Sequence, residues 1–106
     1  MAEAPEHEER SKALFGNKDM LVLCDHIAGS DDERFTASGV AEASKVAYST
    51  THRLLATLVL SGLVTREPRS SGEREQWYTR RRHSFWQAAH DLRRDPGAEP
   101  AGAARS

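Results

Sequence analysis

The sequence predicts an α+β domain with a three-helix core, a small antiparallel sheet and a C-terminal helix. Three observations carry that expectation. Apolar residues recur at helical spacing in residues 20–28 and again in 51–58. Two β-prone runs, LVTREP (63–68) and EQWYT (75–79), flank the turn-forming RSSGER. An amphipathic stretch, SFWQAAHDLRR (84–94), then closes the chain's apolar content.

At 106 residues the chain supports one core of modest size. No window approaches the roughly 18 apolar residues that a membrane-spanning helix needs. The start, MAEAPEHEERS, is acidic and has no hydrophobic stretch of the signal-peptide kind. The lone cysteine, Cys24, excludes an internal disulfide and fits a reducing cytoplasm. The overall charge of −1 hides a segregation. Residues 1–44 carry four basic and ten acidic side chains, while residues 45–106 carry eleven basic and six acidic ones. Such a gradient suits an anionic partner for the second half, or is simply an uneven solvated surface.

The elements follow in order. Residues 1–11 and 95–106 read as disordered tails, rich in charge or in Pro, Gly and Ala with little to bury, which bounds the domain at 12–94. Asn17 is placed to cap a helix with Met20, Leu21, Leu23, Cys24, Ile27 and Ala28 on one broad face, ended by Gly29. SDDE (30–33) is a polar turn, and RFT (34–36) is a strand too short to stand alone, so it should pair with the later hairpin. Thr36 caps a short helix, ASGVAEAS, with Val40, Ala41 and Ala43 inward.

KVA (45–47) connects this helix to the next, YSTTHRLLATLVLS (48–61), which Gly62 terminates. Thr51, Leu54, Leu55 and Leu58 fall at i, i+3, i+4 and i+7 and form a stripe for the core. The opposite side presents Tyr48, Ser49, His52, Arg53 and Ala56. A helix buried on one face, with short donors near its N-terminus on the other, can enter a DNA major groove. Its dipole and open amides favour phosphate there, and its first turns reach base edges. Two short helices joined through Val46 make a helix-turn-helix. Set against this, Ser-Thr-Thr at a helix start is commonly nothing more than capping.

On the helix-turn-helix reading, Tyr48, Ser49, His52 and Arg53 contact bases, and Lys45 and Thr50 contact phosphates. Arg66, Arg69 and Arg74 surround Ser70-Ser71-Gly72 and form a basic wing tip for the backbone or minor groove.

GVAEASKVAYSTTHRLLATLVLSGLV resembles the IclR-type DNA-binding module of the winged helix-turn-helix transcription regulators. LFGNKDMLVLCDHIA is similar to ArsR- and MarR-like domains, whose first helix follows a comparable LFG segment. The likeness spans roughly residues 13–92. It implies a winged helix-turn-helix fold and a dimeric bacterial repressor or activator on a palindromic operator. Lys45 stands where the family's turn usually has glycine, which is compatible with a turn that does not demand a positive φ. IclR-type regulators carry a large effector domain after this module, so small-molecule sensing of that kind is not expected here. Neither is any cofactor.

Other chemistries are thinly represented. Cys24-Asp25-His26 has ligand types for a metal, but residues two apart on a helix point about 200° from each other. Cys24 therefore reads as a core residue, neither ligand nor redox switch. No Gly-rich phosphate loop and no framed carboxylate pair suggests an enzyme.

Arg80-Arg81-Arg82-His83, placed at the start of the last helix, opposes the positive end of its dipole. Its counterpart is either a DNA phosphate or an acidic patch from the first half or from Glu73 and Glu75. In the last helix Phe85, Ala88, Ala89 and Leu92 share one face, with Trp86 and His90 on its neighbour. Together with Leu14 and Phe15, the residues Phe85, Trp86, Ala89 and Leu92 are candidates for contact with a second copy, unless Trp86 packs under the wing.

Function thus reads as a homodimeric, sequence-specific DNA-binding transcriptional regulator in the cytoplasm, associated with the nucleoid. The alternatives are a winged helix that docks on protein as an interaction or assembly module, or a plasmid or phage DNA-maintenance factor.

Overall fold

The computed structural model describes residues 5–69, 72 and 74–95. Five helices and three strands follow in the order α1 (Pro5–Phe15), α2 (Met20–Gly29), β1 (Arg34–Thr36), α3 (Ala37–Ser44), α4 (Tyr48–Leu60), β2 (Val64–Arg66), β3 (Trp77–Arg80) and α5 (Ser84–Arg94). The α+β winged helix-turn-helix expected from the sequence is the fold observed. None of the helices among the described residues is long and apolar enough to cross a membrane.

The core forms where α2, α3 and α4 converge under the sheet. Leu21, Leu23, Cys24 and Leu55 are completely buried, and Leu54, Leu58 and Val40 nearly so. Each such leucine contributes about 1.5–3 kcal/mol through removal of its surface from water. Thr36 caps α3 by accepting from the Gly39 amide at 3.0 Å. The inward residues of α3 are Ala37, Val40, Ala41 and Ser44, and Ala43, expected inward, is exposed. Spacing of i, i+3, i+4 and i+7 explains the difference, because Ala43 falls between two members of that stripe.

The sheet runs in the order β1-β3-β2, with both pairings antiparallel. The short RFT strand thus pairs with the hairpin, as its length demanded. Phe35 lies opposite Tyr78 in the register, and their rings stack at 5.7 Å. Tyr78 is buried and fastens the sheet onto the helices.

The N-terminal segment departs from the expectation of disorder through residue 11. A helix begins at Pro5, and polar contacts tie it down. Ser11 is fully buried; its Oγ accepts from the Leu21 amide and donates to the Asn17 carbonyl. Arg10 donates to the Leu92 carbonyl at the end of α5. Composition misses such a segment because it is secured by hydrogen bonds to other elements and not by apolar burial. Asn17 is not the cap of α2 either. Its side chain accepts from the Asp19 amide, and Asp19 occupies the N-cap position without a side-chain cap bond. Of the expected C-terminal tail, residues 96–106 lie outside the described residues, as do 1–4 of the N-terminal one.

Candidate nucleic-acid interface

Helix α4 hides its leucine stripe and leaves its front open. Thr51, Leu54, Leu55 and Leu58 are buried, whereas Tyr48, Ser49, Arg53 and Ala56 are exposed and His52 and Thr50 are partly so. Its N-cap is Ala47, which has no side-chain acceptor, and no side-chain cap bond forms. The hydroxyls of Ser49 and Thr50 make no hydrogen bond to another described residue, so capping does not account for them. The first amides of the helix stay open to an external acceptor.

Tyr48 and His52 sit one turn apart. The imidazole Nε2 and the phenol hydroxyl are 2.9 Å apart, and the rings meet edge to face at 4.8 Å. Each fixes the rotamer of the other, which presents two polar tips in a set geometry.

The turn into α4 is strained. Lys45 ends α3 in the left-handed region, at φ 63°, with its amide donating to the Ala41 carbonyl. The sequence reading of a turn without positive φ is therefore incorrect. Closing α3 with a backbone bond back to Ala41 forces the left-handed conformation whatever residue occupies the site. Val46, buried just after, pins the turn to the core. For a residue with a Cβ this conformation costs about 1–2 kcal/mol. Lys45→Gly should raise stability by about 1 kcal/mol, read as a higher denaturant midpoint at unchanged slope.

The β2–β3 arm stands beside this helix. Arg69 donates to the Arg74 carbonyl at 2.8 Å and braces the loop. Arg66 lies in β2 with its guanidinium 6.0 Å from the Tyr78 ring. Between arm and helix runs an open groove of about 430 Å³, lined among others by Tyr48, His52, Arg66, Arg69 and Arg74. The fold thus brings five of the nine expected DNA-contacting residues to one concave surface. Lys45, Ser49, Thr50 and Arg53 lie outside the groove, along the turn and the face of α4. Ser70, Ser71 and Glu73 of the loop lie outside the described residues.

The groove also holds a tether that the sequence does not foretell. Ser38, on the first turn of α3, donates to Glu75 of the arm at 3.2 Å. Nothing local pairs residues 37 positions apart, so only the closed sheet makes this tether legible.

Two members of the basic run 80–83 are engaged within the chain, by backbone carbonyls and not by an acidic patch. Arg80 donates to the carbonyls of Ile27, Ala28 and Ser30 at the end of α2. Arg81 donates to the Gly62 carbonyl at 3.0 Å, where Gly62 at φ 85° ends α4. Both neutralise the negative ends of helix dipoles and satisfy orphan carbonyls. The run also precedes α5 instead of starting it, since His83 is the N-cap and accepts from the Phe85 amide.

The candidate contacts with a second copy divide. Leu14 is 62% exposed, and Phe15, Phe85 and Leu92 are half-buried, with the two phenyl rings edge to face at 6.3 Å. Trp86 and Ala89 are buried in the chain's own core, at 5% and 3% exposure. Trp86 further donates from Nε1 to the Arg81 carbonyl, so these two cannot meet a partner. The inner face of α5 is set by Trp86 and Ala89, and Ala88 points outward.

Cys24 is buried in the core, and burial followed by the charge of Asp25 pushes its thiol up to about 12. It stays an uncharged, unreactive thiol.

No curated protein and no solved structure matches the chain. A family model does: residues 25–68, from within α2 through β1, α3, α4 and β2, match the IclR helix-turn-helix domain. That span holds the strained turn and the open front of α4, and the arm and α5 complete it. The chain carries an IclR-type helix-turn-helix and is a DNA-binding winged helix-turn-helix module of the transcriptional-regulator kind.

Proposed function

We propose that the protein is a sequence-specific transcriptional regulator that binds a palindromic operator as a homodimer and acts at the nucleoid. Tyr48, Ser49, His52 and Arg53 enter the major groove; Lys45 and Thr50 hold phosphates; Arg66, Arg69 and Arg74 follow the neighbouring backbone or minor groove. The observation that carries this reading is Tyr48 and His52 of α4 sharing one groove with the arginines of the arm. Leu14, with the half-buried Phe15, Phe85 and Leu92, supports pairing of two copies. Such a pair would set its recognition helices about 34 Å apart, one turn of duplex.

Titration of genomic fragments at two salt concentrations tests the proposal. With about six to ten phosphate contacts, affinity should fall on the order of 10³–10⁵-fold between 50 and 200 mM salt. Binding should also be fragment-selective. Absence of binding to any duplex at low salt would favour a protein-docking module, which the acidic first half of the chain supports. Selective binding leaves a role in DNA maintenance open to a reporter assay, in which a regulator changes transcription from its own site.

Arg53→Ala should weaken cognate binding by about 1–3 kcal/mol while random duplex is little affected. Equal loss on both would assign Arg53 to the backbone. Lys45→Gly, stabilising for the fold, should lower affinity on every sequence and reduce the salt slope by about one.

A further inference from the structure

A second polar cleft lies where the end of α2 meets α5. It has a volume of about 380 Å³ and is lined by Asp25, His26, Ser30, His90, Arg93 and Arg94, with Gly29 and Ala43. It shares no lining residue with the groove between α4 and the arm.

One carboxylate faces four cationic or basic side chains there. Asp25, 4% exposed, accepts from Arg93 NH1 and Arg94 NH1, both at 2.7 Å, and pairs with His90 Nδ1 at 2.9 Å. Each arginine thereby commits one nitrogen of its fork and keeps Nε and NH2 without a protein acceptor among the described residues. His90 keeps Nε2, and His26 makes no hydrogen bond to a described residue. Two guanidiniums against one carboxylate leave a net positive charge before either imidazole is protonated. The surplus is felt locally. Burial first, then the charge of Arg93, holds the His26 imidazole below its usual range despite the opposing pull of Asp25.

We infer that this cleft binds a small phosphate group, with Asp25 positioning the two guanidinium forks, Arg93, Arg94 and His26 donating to the phosphate oxygens, and His90 holding Asp25 through Nδ1 beside them. Phosphate fits better than a carboxylate, because three acceptor oxygens can use donors that arrive from α2 and α5 together. Binding would also strengthen the joint between these helices, the one that Asp25 already bridges.

The test is a titration of the intact protein with inorganic phosphate at constant pH and ionic strength, against chloride and against acetate. Imidazole NMR resonances of His26 and His90 should shift saturably with phosphate, while chloride and acetate should give only weak, linear changes. Arg94→Gln should weaken phosphate roughly tenfold or more, the effect of losing one charge-assisted hydrogen bond. Arg94 is 56% exposed, so this variant keeps Asp25 held by Arg93 and His90. His26→Gln gives a second variant, away from the ion pairs, with a smaller loss expected. Linear shifts with phosphate in the wild-type protein, saturation by acetate at the same concentration, or unchanged phosphate affinity in Arg94→Gln would each overturn the inference.

Discussion

Leu55→Ala should destabilise the domain by about 2–5 kcal/mol, a shift in melting temperature of ten degrees or more for a chain of this size. Leu55 is fully buried at the centre of the stripe on α4, so the deletion removes both transfer energy and packing partners. Leu60 lies on the same helix at 88% exposure. Leu60→Ala should stay within about 0.5 kcal/mol of the parent, as surface substitutions do. Thermal melts of the pair therefore report which face of α4 is hidden. Similar losses in both variants would place the leucine stripe elsewhere and remove the basis for a free polar front. Since folding and binding are separable, Leu60→Ala should also keep full duplex affinity.

The second large effect concerns Asp25. Asp25→Ala removes the acceptor shared by Arg93, Arg94 and His90 and should cost about 2 kcal/mol. The value sits below that of a fully enclosed pair because Arg94 is half-exposed and can return to water. The sign of the pH effect follows from the carboxyl. Burial works to raise its pKa, but the hydrogen bonds from Arg94 and Arg93 outweigh this and hold it below the ordinary carboxylate range. A carboxyl depressed in the folded state contributes stability above its unfolded pKa, about 3.9, and loses it as pH falls through the lower folded value. His26, depressed in the folded state, adds a loss of the same sign that begins below its unfolded pKa of about 6.5. Stability should thus decline with acid in two stages. In Asp25→Ala the lower stage should flatten while the upper one remains. Urea melts from pH 7 to 3 check this, and an unchanged lower stage would separate Asp25 from the acid response.

Residues legible from sequence share one property: their partners lie within a turn or two. The stripe Thr51-Leu54-Leu55-Leu58, the Thr36 cap and the Gly62 stop each follow from helix period and local hydrogen bonding. The polar front of α4 and the basic arm are legible for the same reason, while the groove between them appears only in the folded chain.

Tertiary structure decided the rest. The arginines 80 and 81 look alike in the sequence, yet one closes α2 and the other α4, 53 and 19 positions away. Trp86 reads as a candidate for contact with a second copy until Arg81, just past β3, supplies a carbonyl for its indole. Helix α1 reads as a charged tail until α2 buries the hydroxyl of Ser11 and α5 engages Arg10. Asp25 sits in an otherwise apolar run, and its partners arrive from 65 to 69 residues away. Period and propensity act along the chain over a few residues, which is why a single sequence reveals them. A buried polar atom or an orphan carbonyl can be satisfied by any distant donor that the fold brings near, and that choice exists only once the chain has closed on itself.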